Sequence, residues 1–331
     1  MTGLRNPRRQ LSFPPQTPFL STRWMLLIMA VSALLDAILL HATRLSIAAT
    51  PAAIGFCVWA VFAALACFHL RSGATERQRI ARDLIEGISA FAAVSLLGAI
   101  ASYPLAAGHH PLVDPELERV DLTLHFHWLN LYEWIAGHAW AQTPERIAYL
   151  SIFVTPAVLI GYFAWTGRRA ETRMFVATFW VAVVMTLSLF PLLPAAGPFS
   201  SLWRGSVPYM PLSALYQGQV IVALRQHAIH AIDLGELHGL VCAPSFHAAS
   251  AVIYMATAFR IRGLRWPLMV LNVSMLLATP VEGTHYLADL LAGGIVAGTA
   301  LWITPMLIRL AERWDMSGRA WIRDMAPVAA E

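Results

Sequence analysis

The chain has 331 residues, of which 58% are hydrophobic and 13% charged, and its formal net charge is +4. Such a composition excludes an ordinary soluble globular protein. With no basic run interleaved with aromatic residues, it also argues against nucleic-acid binding.

Residues 1–23 are polar, with four prolines and with Arg5, Arg8, Arg9 and Arg23, and read as a disordered basic tail. The apolar run that follows lacks a small-residue cleavage site, so an uncleaved membrane helix is expected rather than a signal peptide. Apolar runs of spanning length recur, predicting helices near 24–42, 47–69, 87–107, 147–167, 174–194, 243–260, 265–283 and 286–308. The expected fold is therefore an all-α integral membrane bundle of about eight transmembrane helices. Cys57 and Cys67 lie in one apolar run and Cys242 stands alone, so neither a disulfide framework nor a metal-ligand spacing is present.

The chain has no lysine, and its 23 basic residues are all arginine. Eight spans would place on one face the N-terminal arginines, Arg71, Arg77, Arg79, Arg82, Arg168, Arg169, Arg173, Arg260, Arg262, Arg265, Arg309, Arg313, Arg319 and Arg323. The opposite face would keep only Arg44, Arg119, Arg146, Arg204 and Arg225. Positive charge stays inside, so both termini, including a tail over 312–331, are expected in the cytoplasm. The protein is expected to be a multi-pass protein of the bacterial inner-membrane type.

The long connections fall on the other face. Residues 108–146 combine histidines and carboxylates with Trp128, Tyr132, Trp134 and Trp140, a composition suited to the membrane interface. This piece reads as a lid, an entry platform or a structural cap. No His-Glu-x-x-His or comparable ligand spacing appears, so no metal is expected. Residues 24–146 thus form an N-terminal unit of helices plus an external amphipathic segment, and 147–311 the functional bundle. In the second long segment, 195–242, a short helix is predicted over 212–232.

Pro244 and Ser245 precede the apolar run 248–259. Ser245 suits an N-cap and Pro244 fixes the entry. Free backbone N–H groups at a helix start make an anion site, and His247 falls in that first turn. Alone, His247 would be a capping-region histidine without function. One hairpin later stands Gly283-Thr284-His285-Tyr286-Leu287-Ala288-Asp289. The spacing of His285 and Asp289 stacks them on one helix face. A carboxylate against one imidazole nitrogen fixes the tautomer and frees the other nitrogen as base or nucleophile. An isolated pair of this kind would read as a pin between helices, but an ionisable pair at a membrane-helix end is costly unless used. Glu282, three residues before His285, lies near the same helix face.

Pro244-Ser245-Phe246-His247 followed by Gly283 to Asp289 resembles the second and third signature motifs of the type-2 phosphatidic-acid phosphatase superfamily. More narrowly, it resembles the branch containing inositol phosphorylceramide synthase and its bacterial relatives, whose Pro-rich stretch is similar to Phe190-Pro191-Leu192-Leu193-Pro194-Ala195-Ala196-Gly197-Pro198. The likeness is specific over roughly residues 186–296. It implies that His285 is the nucleophile that takes the phosphoryl group, that Asp289 orients it, and that His247 protonates the leaving oxygen, without metal or cofactor. The arginine that the wider family carries six residues before its nucleophile is replaced by Thr279, and the lysine of its first motif is absent.

A phosphoryl site still needs positive charge for its equatorial oxygens. Arg225 is the first candidate and Arg204 the second, with Ser245 and Phe246 contributing the helix start. The alternative for either arginine is to snorkel to lipid phosphate. The resulting reading is a membrane phosphotransferase or phosphatase acting on a lipid phosphate or phosphodiester at the non-cytoplasmic face. The resemblance leans toward transfer to inositol or another polyol, while the residues leave water and alcohol equally open. The alternative is a non-catalytic membrane protein, haem-binding or structural. Haem ligation needs histidines well inside facing spans, whereas His247 and His285 sit at helix ends. Nothing in the chain sets an oligomeric state.

Overall fold

The computed structural model describes residues 21–72 and 75–325, with side chains as far as residue 311. The expected N-terminal tail lies outside the described residues up to position 20, as does the last part of the C-terminal tail, 326–331.

The chain is an all-α membrane protein. Its helices are α1 (Thr22–Thr43), α2 (Pro51–His69), α3 (Glu76–Ala106), α4 (Asp114–Thr123), α5 (Trp128–Gly137), α6 (Ala139–Leu150), α7 (Val154–Trp165), α8 (Arg169–Leu189), α9 (Pro198–Leu202), α10 (Gln217–Arg225), α11 (Phe246–Ala258), α12 (Arg265–Glu282) and α13 (Leu287–Met325). Local chemistry explains the starts. Ser21 and Thr50 accept from the first turns of α1 and α2, and Thr75 forms a capping box with Gln78 ahead of α3. Pro156 has no N–H for the carbonyl of Ile152, and the ladder tightens to a 3-10 turn at Ser151–Phe153 between α6 and α7.

Six stretches among the described residues are long and apolar enough to cross a membrane: Thr22–Thr43, Pro51–Ser72, Glu76–Ala106, Ala139–Trp165, Arg169–Leu192 and Leu287–Ala311. The other two expected crossings correspond to α11, with 13 residues, and α12, with 18 residues and a glutamate as its last. At 1.5 Å per residue α11 spans about 20 Å, less than a hydrocarbon core of about 30 Å. It is buried against its neighbours instead: Ile253, Tyr254 and Ala258 join Leu159, Ile160, Phe175, Phe179 and Ala297 in the main core. By contrast, α2 fully buries only Ala63 and leaves most of its surface exposed, as a lipid-facing helix does.

The bundle has two chemically different ends. At one, Glu86 of α3 receives Arg169 and Arg173 of α8, Arg173 also donates to Thr22, and Arg79 donates to the carbonyl of Ala164. At the other, the long connections fold onto one another. Ser46–Ile47 (β1) pairs in parallel with Ala231–Ile232 (β2), and the Thr50 hydroxyl donates to Asp233 at 2.9 Å. Residues 108–146 are packed down as α4, α5 and the start of α6. Trp128 donates through Nε1 to the carbonyl of Pro280 at 2.7 Å, and Tyr132 to that of Tyr209 at 2.7 Å. The helix expected over 212–232 is shorter, because α10 stops at Arg225 and His227 takes a left-handed φ of 53°.

Candidate active site

The catalytic histidine candidates sit at this second end, where α12 gives way to α13. After Glu282 the chain turns through Gly283 and Thr284, the latter at φ +51°, a strained conformation for a β-branched residue. The turn is closed by Thr284 N–H to the carbonyl of Val281 and His285 N–H to that of Pro280, both at 3.1 Å. It is pressed from outside by Gly197, at φ +93°, where a Cβ would lie 2.6 Å from the Thr284 carbonyl oxygen. Only glycine satisfies both conditions at that point of the proline-rich stretch.

His285 therefore precedes α13 rather than lying inside a helix, yet its Nδ1 lies 3.4 Å from Asp289 Oδ2. The pairing arises from capping. The first N–H groups of a helix have no partners within it. Asp289, in the first turn of α13, reaches back to the Tyr286 N–H at 3.0 Å. The next two N–H groups, of Leu287 and Ala288, are taken by Asp121 of α4, each at 2.8 Å. All three donors at this helix start are thus consumed by carboxylates. Asp121→Ala should leave two of them unsatisfied and destabilise the protein by about 1–3 kcal/mol. Thermal unfolding in detergent should show a lowered midpoint.

Asp289 Oδ2 has a third donor that the sequence did not reveal. The Cys242 thiol points at it from 3.2 Å, and Sγ lies 3.9 Å from His285 Nδ1. Burial pushes that thiol well above its usual range, the nearby Asp289 adding to the effect, so it stays protonated and donates. These three ligand atoms lie within 4.8 Å of one another, a grouping that could hold a soft metal. In this arrangement the groups are hydrogen-bonded to one another, the thiol donating to Asp289 Oδ2, which lies 3.4 Å from His285 Nδ1.

The second segment is fixed against the first by main chain. Ser245 caps α11 by accepting the Ala248 N–H at 3.3 Å, and its own N–H donates to the carbonyl of Asp289 at 3.0 Å. Its carbonyl oxygen occupies space that a Cβ on Gly293 of α13 would need. His247 then stacks on Tyr149 of α6, with centroids 4.4 Å apart, and its ring centroid lies 6.0 Å from that of His285. The Phe246 side chain leaves the site and packs edge-on against Phe179 in the core. What Phe246 and His247 offer an anion is their backbone N–H groups, which have no acceptor among the described residues. Thr279 is fully buried, with its hydroxyl bonded back to the carbonyl of Met275.

Neither candidate arginine touches His247, His285 or Asp289 among the described residues. Arg225 donates to the carbonyl of Ala106 at 3.4 Å, and burial lowers its pKa while Asp114 opposes that shift. Arg204 donates to the carbonyls of Ser200 and Trp203 and lines a cavity of about 1050 Å³ with Asp114, Ser201 and Gln219. Asp114 joins that cavity to the site: it accepts the Ala196 and Gly197 N–H groups and the Tyr286 hydroxyl. Burial raises the carboxyls of Asp114 and Asp121 above the usual range, and their N–H donors pull them back.

A third arginine lies on α6, beside a buried glutamate at the end of α12. Arg146 lies one helical turn before Tyr149, the stacking partner of His247, and its Nε is 3.8 Å from Glu282. Glu282 is wholly buried and holds the 209–212 loop, accepting the Tyr209 hydroxyl and the Leu212 N–H. The only signal for Arg146 in the sequence was its membership of the five arginines on the sparse face.

A family model described as the PAP2 superfamily matches residues 115–303. No curated protein and no solved structure matches the chain. The matched segment covers more than half of the chain and contains Asp121, Arg146, Cys242, Ser245, His247, Glu282, His285 and Asp289. A bundle whose two histidines face each other over a helix start, one of them held by an aspartate, is therefore the centre of a protein that belongs to the PAP2 superfamily.

Proposed function

We propose that the protein is a membrane phosphotransferase or phosphatase acting on lipid phosphates, with His285 as nucleophile, Asp289 as its orienting partner and His247 as general acid. Superfamily membership supports the enzyme class and the lipid-phosphate substrate. The observation that carries the residue roles is the geometry of the two rings: 6.0 Å separates their centroids, and only His285 has a carboxylate at Nδ1. Nε2 of His285 attacks phosphorus in line, the bond to the lipid oxygen breaks, and His247 delivers a proton to that oxygen. Water or a second alcohol then attacks phosphorus, gives its proton to His247, and releases His285. Phosphate oxygens are held by the N–H groups of Phe246 and His247, with Ser245 shaping the helix start. Arg146 joins Arg225 and Arg204 as a source of positive charge.

The likeness of the proline-rich stretch 190–198 to that of the inositol phosphorylceramide synthase-like branch supports transfer onto inositol or another polyol. Incubation with labelled phospholipids, with and without polyol acceptors, separates the outcomes. A labelled headgroup appearing on the polyol is expected for a transferase. Release to water alone would make the enzyme a phosphatase, and no turnover of any lipid phosphate would remove the proposal.

The uneven arginine distribution supports cytoplasmic termini and a site on the opposite face, in a bacterial inner-membrane setting. A reporter at the C-terminus should behave as cytoplasmic and a tag within 108–120 as external. An external C-terminus would place the site on the wrong side.

A further inference from the structure

A buried carboxyl far from the histidines lacks a hydrogen-bond partner. Asp36 of α1 is only 7% exposed, and its Oδ2 is unpartnered among the described residues. It lines a cavity of about 270 Å³ between α1, α3 and α8, whose walls are otherwise mostly apolar, among them Leu39, Leu97, Val183 and Leu187. The Ser32 hydroxyl in the same wall is already engaged by Trp180 Nε1 at 3.0 Å. An unpaired polar group in hydrocarbon is costly, and an intramembrane carboxyl marks a ligand or transport path more often than a structural contact.

Depth and chemistry narrow the occupant. Asp36 lies seven residues before Thr43, the last residue of α1 at the loop-bearing end, which puts it about 10 Å below that end. A phospholipid cannot carry its phosphate to that depth, still less toward a carboxyl. A neutral lipid with a free hydroxyl can, because one hydroxyl both donates and accepts, while its chains fill the apolar groove. We propose that the groove between α1, α3 and α8 binds a neutral lipid alcohol of the diglyceride class, with its hydroxyl on Asp36. The groove reaches Ser188 and Pro191, where the stretch begins whose Gly197 presses on Thr284 beside His285. Its use in turnover rests on the lipid-phosphate reading, since removing phosphate from such a lipid leaves this alcohol. Binding does not rest on it.

Trp180 lines the groove and supplies the readout. The full chain in phosphatidylcholine nanodiscs is titrated with diglyceride brominated on its acyl chains, or with phosphatidylcholine brominated likewise. The signal of interest is the quenching lost in Trp180→Phe. Saturable quenching by the diglyceride alone is expected, weakened about tenfold or more in Asp36→Leu and retained in Asp36→Asn. Val184→Phe, on the exposed flank of the groove, should also weaken it and serves where Asp36→Leu fails to fold. Equal quenching by the two lipids, or wild-type affinity in a folded Asp36→Leu or in Val184→Phe, overturns the proposal. Assaying lipid-phosphate turnover by the same wild-type preparation separates the two readings. Diglyceride binding by a wild-type protein that turns over no lipid phosphate would retain this site and remove the enzymatic proposal, whereas turnover without selective quenching would remove only the site.

Discussion

Replacing His285 with alanine should abolish lipid-phosphate turnover and leave a folded protein. The covalent route needs a nucleophilic nitrogen at this position, and the other histidine of the pair has no carboxylate to set its tautomer. The fold should survive because the turn is held by main chain: the His285 N–H to Pro280 and Thr284 N–H to Val281 bonds do not involve the side chain. Asp289 loses a long 3.4 Å contact but keeps the Tyr286 N–H and the Cys242 thiol. A stability loss of about 1 kcal/mol is the scale for such a bond. Product release from labelled lipid, alongside thermal unfolding in detergent, checks both halves. Normal turnover by this variant would sink the mechanism.

His247→Gln tests the acid more finely. A lipid alkoxide leaves badly without a proton, whereas an activated aryl phosphate needs little help. General acid assistance is typically worth about 10²–10⁴-fold. A loss of that size is expected on a lipid substrate, with a much smaller loss in the phosphorylation step with a p-nitrophenyl phosphate. Phosphohistidine should accumulate with the activated substrate, because the second step needs His247 as base. If His247 only caps α11 or holds phosphate, both substrates suffer about equally and no intermediate builds up. Glutamine keeps a polar side chain that can lie against Tyr149, so the comparison reads proton transfer rather than lost stacking.

The bundle was largely legible because hydropathy sets helix positions directly: each expected apolar segment is helical in the structure, although 147–167 is divided into the end of α6 and α7 by a 3-10 turn. Burial by neighbours, which single-chain periodicity does not report, explains how α11 can be mostly apolar and yet only 13 residues long. The His285–Asp289 pairing was legible from spacing, although its cause is a helix start rather than a helix face. The partners that complete the site were not. Asp121 reaches Leu287 across 166 residues and Asp114 reaches Tyr286 across 172. Carboxylates at such separations read in sequence as ordinary interfacial charge. Cys242 looked inert because a lone cysteine has no pattern, and the thiol acquires its role only when α11 and α13 meet. Their place in the 195–242 segment singled out Arg225 and Arg204 from the five arginines of the sparse face, while the packing of α6 sets Arg146 against Glu282, one turn before the Tyr149 that stacks on His247.

The joint between the starts of α11 and α13 has a consequence for how this site can vary. Ser245 donates its N–H to the carbonyl of Asp289 and seats its own carbonyl against Gly293, so backbone meets backbone with no side chain between them. The separation of His247 and His285 is consequently insulated from the identity of the residues that line the surrounding space. Substitutions along the 195–242 loop, away from Gly197 and Cys242, can reshape what is admitted without disturbing the reacting geometry. Gly293 and Gly197 are the closed positions: one methyl group at Gly293 would wedge the two helices apart, and one at Gly197 would strike the Thr284 carbonyl beside His285. Diversification of substrate should accordingly be cheap elsewhere in the loops and closed at those two glycines.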